Sequence, residues 1–266
     1  MNAAAARPDG WRPMFKADWT RFVFIHYALP PGDLAPFTPL ELDCRDGRAF
    51  VSLVFFRFDG MRPARFLLGT LGRVLFRPAS DNWFLNVRTY VRGAAGPGIQ
   101  FLIEWIDNPL SLFIGPWLYG LPYRRGRFDC PTGGTDDRSS LRVTDAQTKK
   151  SFQVTVAGDG KKASTVDPGS LDGFLLEKYT AYTHHRGVSR FFHISHPHWS
   201  VTQPSVLAID DSLIRASCPW FGNAEMRSAH ASAGFQSVGM GAPSRLNGAP
   251  RAGRTIPVAQ LVPRFQ

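Results

Sequence analysis

The chain has 266 residues and a net charge of +10, with 44% hydrophobic and 20% charged residues. That apolar share, which includes 21 Phe, excludes a disordered chain, and the length admits one large domain or two small ones. The positive charge rests mostly on Arg, but the arginines are dispersed and form no basic helical stripe, so no nucleic-acid partner is expected. Cys44, Cys130 and Cys218 are widely spaced with no CxxC pair, which speaks against a disulfide framework or a zinc ribbon. The first residues lack a signal-peptide h-region, and no stretch reaches the roughly 18 apolar residues of a membrane span. The expectation is a cytoplasmic protein.

Residues 1–14 read as a disordered leader. Trp19 to Tyr27 reads as a strand with Phe22, Phe24 and His26 on one face, and His26 as a hydrogen-bonded core group. Pro30-Pro31-Gly32-Asp33 breaks the strand, and Asp33 can cap one helical turn. Leu40–Cys44 and Arg48–Phe58 suggest a hairpin closed at Arg45-Asp46-Gly47, because Asp-Gly favours a tight turn. The second of these strands is apolar on both faces, so both faces should be covered. Residues 61–80 suit an amphipathic helix weakened by Gly69 and Gly72.

Asn86–Arg92 alternates Asn, Arg, Tyr and Arg with Val, Thr and Val, the period of a half-buried strand. Gly93–Gly98 is a turn and Ile99–Ile106 a second strand. Asp107 or Asn108 caps a helix over Leu110–Tyr119, which Gly115-Pro116 should kink and Gly120 should end. Tyr123-Arg124-Arg125 follows at a fixed place. Arg125–Cys130, Ser140–Thr144 and Ser151–Ala157 read as strands. Gly158-Asp159-Gly160 is a hairpin tip, since it lacks the glycine spacing and following helix of a phosphate loop. A helix over Leu171–Tyr182 begins at Asp167 or Ser170. Val188–Ile194, Ser205–Ser217 and about Ser228–Met240 are late strands, and residues 246–266 a flexible tail. The count predicts a mainly β (α+β) fold with two or three helices, one domain over residues 15–245, and a closed or nearly closed sheet.

Several stretches resemble a known family. They are Phe24-Ile25-His26-Tyr27, the Asp46–Ser52 run, Asn86–Val91 with the following Pro97-Gly98-Ile99-Gln100-Phe101, Gly120–Arg124, Leu176–Tyr179, His196–Trp199 and His230–Phe235. Together, over about residues 15 to 245, they resemble the YqjF-like bacterial family of the acetoacetate-decarboxylase-like superfamily. The resemblance implies a closed or nearly closed β-barrel-like core with a central cavity, decorated by two or three peripheral helices. It also implies a Schiff-base lysine after a Gly-Phe-Pro element, and here Gly120-Leu121-Pro122 is followed by Tyr123 and Arg124. A glutamate is implied two residues before Asn86, and here Phe84 stands there. Tyr cannot form an imine and Arg is too basic to act as a free amine.

Of the six lysines, four form pairs near hairpin turns, Lys16 is near the start and Lys178 is placed on the polar face of a helix. None is expected to have an apolar neighbourhood that depresses its pKa. The remaining constellation is Arg88, Tyr90, Tyr123 and Arg124 with Glu104. Two guanidiniums and two phenols in an apolar cavity suit a small organic anion. Against that, Arg88 and Glu104 can be a buried structural pair and the tyrosines ordinary core residues. The expected function is small organic anion binding without Schiff-base chemistry and without a cofactor, in a protein able to form a homo-oligomer. The alternative is a non-decarboxylase enzyme with Tyr123 as acid or base and the arginines as oxyanion partners. His193, His196 and His198 raise a metal alternative. Of these His196 and His198 share a face of an extended chain, but no HExxH accompanies them.

Overall fold

A computed structural model describes residues 11–64, 81–130 and 138–246. Its strands are β1 (Phe15–Leu29), β2 (Glu41–Leu42), β3 (Ala49–Pro63), β4 (Asn82–Gly93), β5 (Gly96–Ile106), β6 (Tyr123–Asp129), β7 (Arg138–Asp145) and β8 (Ser151–Ala157). They continue with β9 (Ser164–Thr165), β10 (Thr180–His185), β11 (Val188–Ser195), β12 (Ser200–Val201), β13 (Ser205–Asp210), β14 (Glu225–Met240) and β15 (Ser244–Arg245). The α-helices are α1 (Pro31–Leu34), α2 (Pro109–Tyr119), α3 (Leu171–Leu176) and α4 (Ser212–Ser217). The chain is mainly β, as the alternation predicts, with four short helices among the described residues where two or three were expected.

One large curled sheet organises the chain. The pairings β4–β3–β1–β14–β11–β10–β5–β4 run in a ring of seven strands. Two links are thin, since β10 meets β5 and β11 meets β14 at two residue pairs each. A flank of β6, β7, β8 and β13 continues from β5.

β3 is apolar on both faces because both are covered. Leu53 and Phe55, with Ile25 of β1 and Leu85 of β4, pack outward against Val143, Phe152, Val154 and Ile214 of the flank and α4. Phe50, Val54 and Phe56 face inward with Phe24, Phe84 and Tyr90. Burying a side chain such as Phe55 or Leu85, each at most 1% exposed, contributes about 1.5–3 kcal/mol. The inward face is the one that bears polar groups.

The local signals around α2 act as read. Asn108 accepts from the Leu110 and Ser111 amides, and Gly120, at φ 71°, ends the helix in the left-handed region with its N–H on the Pro116 carbonyl. The β4–β5 connection is tighter than expected, two residues between Gly93 and Gly96.

Other expectations are corrected. Asp46 and Gly47 form the tight turn at φ 51° and 71°, but β2 pairs with β4, not β3. The helix expected to Tyr182 stops at Leu176, because Thr180–His185 forms strand β10 against β11 and β5. β13 ends at Asp210, and Ser212–Ser217 coils into α4. Trp11 and Pro13, within the expected leader, sit over Gly239 and Gly241 of the β14 end. The expected amphipathic helix falls largely outside the described residues, as does most of the expected tail. No described helix is long and apolar enough to cross a membrane.

Candidate functional site

The antiparallel register sets inward-facing side chains side by side in rows. His230, Phe24, Val54, Asn86 and Glu104 are successive cross-strand partners, and the parallel pairing of β5 with β6 adds Tyr123 to that row. The next row is Ser228, His26, Ser52, Arg88 and Phe101. Aromatic groups bound them on either side. Phe22, Phe56 and Phe84 stack at 5.0 and 4.9 Å between ring centroids, and Phe50 lies two residues from Ser52 on the same face of β3. A belt of buried polar groups thus lies inside an otherwise apolar interior.

Its hydrogen bonds have a fixed direction. The Tyr90 hydroxyl donates to the Leu175 carbonyl at 2.9 Å, so toward Ser52, 2.5 Å away, it can only accept. The Ser52 proton therefore goes to Tyr90, and the His26 Nδ1–H, at 2.6 Å, must donate to Ser52. His26 is then neutral with a bare Nε2, in accord with a pKa held well below its usual value by burial and by His230 and Arg88. Nε2 has no partner.

Arg88 occupies the middle of the belt. It is buried, its Cζ lies 5.6 Å from the Phe24 ring centroid, and it hydrogen-bonds Tyr90. Among the described residues its Nε and Nη2 have no hydrogen-bond partner, and neither do Glu104 Oε2, Asn86 Oδ1 and both nitrogens of His230. His230 Nε2 is 3.3 Å from Asp172 Oδ1 but without hydrogen-bond alignment. Burial pushes the Glu104 carboxyl up to about 8 against the opposing pull of Asn86 and Arg88, so at neutral pH it is mostly uncharged. Among the described residues, Arg88 thus lies beside a carboxyl that is mostly protonated at neutral pH. Buried polar atoms are nearly always satisfied, and here several without a partner among the described residues lie close together.

The expected residues divide. Arg88, Tyr90, Glu104 and Tyr123 face inward together. Arg124 does not join them: it alternates to the other face, where its guanidinium lies 6.0 Å from the Trp105 ring. The Tyr123 hydroxyl is held well above its usual pKa by burial, Glu104 and Tyr119, so it is a neutral phenol and a poor base. Its ring packs on Phe84 and lines an apolar pocket of about 110 Å³ under α2.

Lys178 is a correction. Because α3 ends early, it leaves the helix with its side chain only 10% exposed, 4.2 Å from the Phe174 ring centroid and 3.6 Å from Asp43. Burial lowers its pKa, opposed by Asp43. Asp43 is also bound by Arg92 at 2.8 Å, so this lysine is one arm of an ion-pair cluster closing the belt's Tyr90 end.

The histidine cluster disperses. His196 stacks on Phe235, holds the Pro197 carbonyl at 2.7 Å and has its pKa lowered by burial to about 4. His198 pairs with Glu177 at 3.3 Å, and His193 contacts Thr180 at 3.2 Å. Among the described residues no group of three or more His, Cys, Asp or Glu is placed to hold a metal ion.

Sequence reasoning did not include His26, Ser52, Asn86 and His230 in the site. His26 and Ser52 were visible only as isolated polar residues in apolar strands, and nothing local placed His230 beside them.

Residues 16–235 match the family model DUF2071, described as an uncharacterized conserved protein. The chain belongs to this family. It is 29% identical over 196 residues to the uncharacterized protein YqjF of Bacillus subtilis (strain 168), covering 72% of this chain and 76% of that one. Its fold is that of acetoacetate-decarboxylase-like enzymes. A DUF2071 chain of this kind superposes on such an enzyme from Sphingomonas wittichii RW1 with a TM-score of 0.58 at 15% identity, covering 93% and 100% of the two chains. The acetoacetate decarboxylase of Legionella pneumophila gives 0.61 at 12% identity, covering 93% and 90%. The enduracididine biosynthesis enzyme MppR complexed with pyruvate gives 0.58 at 14%, covering 93% and 98%.

Proposed function

We propose that this DUF2071 chain binds a small organic anion at Arg88, inside a barrel-like core, without Schiff-base chemistry. The observation that carries the reading is the buried Arg88 guanidinium, whose Nε and Nη2 have no hydrogen-bond partner among the described residues. A buried charge left unpaired costs several kcal/mol, and the nearby Glu104 is too weakly acidic to compensate it at neutral pH. An anion would supply both the charge and the acceptors, bidentate with the guanidinium. Protonated Glu104 would supply a donor, and Asn86 Oδ1 and the bare Nε2 of His26 acceptors, around it. The pyruvate complex of MppR, a protein of the same fold, is consistent with a carboxylate ligand. Tyr123 in place of a lysine supports the absence of an imine. A cytoplasmic location is supported by three cysteines outside any disulfide. The test is calorimetric titration of the full chain with acetate, pyruvate and acetoacetate, with Arg88→Met as the control. Binding that Arg88→Met weakens supports the reading, and binding indifferent to Arg88 refutes it.

A further inference from the structure

Resting on that reading, the geometry points to the class of anion: we infer that it carries an apolar body, and that this body occupies the pocket under α2 while the anionic end meets Arg88. The pocket of about 110 Å³ is walled by Phe58, Phe84, Ile114, Leu118, Tyr123 and Phe192, among others. A cavity with such walls does not hold water well and accepts hydrocarbon. It adjoins the polar belt through two shared residues. Tyr123 is the cross-strand partner of Glu104 and at the same time a pocket wall. Phe84 precedes Asn86 and Arg88 on the same inward face of β4, so the pocket and the orphaned guanidinium lie along one strand about 13 Å apart at Cα. The Arg88 Cζ lies 5.6 Å from the ring centroid of Phe24, whose row holds Asn86, Glu104 and Tyr123.

An all-polar ligand would leave the aromatic pocket empty, and an uncharged lipophile would leave Arg88 uncompensated. A monocarboxylate with an aliphatic or aromatic tail satisfies both. The ring of Tyr123, wedged against Gly115 of α2, stands between the two parts. It would swing or slide to admit the tail, and its hydroxyl would remain on the Glu104 side.

The experiment is a chain-length series on the full chain: acetate, butanoate, hexanoate and octanoate, with hexanol as the uncharged match, titrated by calorimetry. Each methylene seated in the pocket should tighten binding about fourfold until the space is filled. Leu118→Trp, or Ile114→Phe if the first variant does not fold, should erase the gain for hexanoate and leave acetate unchanged. Arg88→Met should weaken every carboxylate alike. Equal binding of acetate and hexanoate, still dependent on Arg88, overturns the apolar body and spares the anion site. Hexanol binding as tightly as hexanoate overturns it too, because the pocket would then work without the anchor. Carboxylates that bind indifferently to Arg88, or not at all, remove the anion site and this inference with it.

Discussion

The ring of Tyr123 packs on that of Phe84, with centroids 5.9 Å apart and planes tilted by 60°. These are the two positions where likeness to acetoacetate decarboxylase implies a lysine and a glutamate. Here they touch as an aromatic pair that joins the stack of Phe22, Phe56 and Phe84.

The first prediction follows. Incubation with acetoacetate and borohydride should give no reductively trapped adduct by mass. Lys178 is a partly buried competitor, but its amine is held in an ion pair with Asp43 at 3.6 Å and against the Phe174 ring at the belt's edge. An adduct on any lysine would sink the claim that the chain works without an imine.

The seat of Tyr123 can be probed from α2. A Cβ added at Gly115 would lie 2.1 Å from Tyr123 Cε2, so the ring must move. Gly115→Ala should cost about 1–3 kcal/mol in urea denaturation, as overpacking does. In a Tyr123→Leu background the same change should cost much less. An equal loss in both backgrounds would mean that the cost lies in the helix and not at the ring.

Glu104 predicts a pH response. Its folded pKa, about 8, is above its unfolded value, so the folded state holds the extra proton between about pH 4.5 and 8. Stability from this group is full below that window and falls as pH rises through it, by an amount on the order of a few kcal/mol. Anion binding should also weaken above about pH 8, when the Glu104 carboxylate begins to compete for Arg88. Glu104→Gln should flatten both profiles. His26 and His196, held below the usual value by burial, act with the opposite sense and erode stability as pH falls below about 6.5. Unchanged profiles in Glu104→Gln would assign the response elsewhere.

Limited proteolysis should leave one core spanning about residues 15 to 245. A stable cut near residue 150 releasing two independently folded halves would refute the single-domain organisation.

The unit from β4 to β6 was legible because its signals are local: the tight Gly turn, the Asn108 cap, the left-handed Gly120. The belt was not, because register across distant segments creates it. His230 lies beside Phe24, 206 positions earlier, only through the pairing of β14 with β1. Arg124 was misplaced because a strand starting at Tyr123 sends consecutive residues to opposite faces. Lys178 was misread because the apolar spacing of Leu171, Phe174 and Leu175 continues to suggest a helix. Sheet pairing of Thr180–His185 overrides that local preference.

The central claim is that Arg88, and not Arg124, holds an anion. It is tested most directly by titrating the parent, Arg88→Met and Arg124→Met with the same carboxylate at pH 7. Loss of the charged hydrogen bonds in Arg88→Met should weaken binding by about 1.5–3 kcal/mol for each bond, while Arg124→Met binds like the parent. Parent-like affinity in Arg88→Met would contradict the account and leave the buried guanidinium as a structural group.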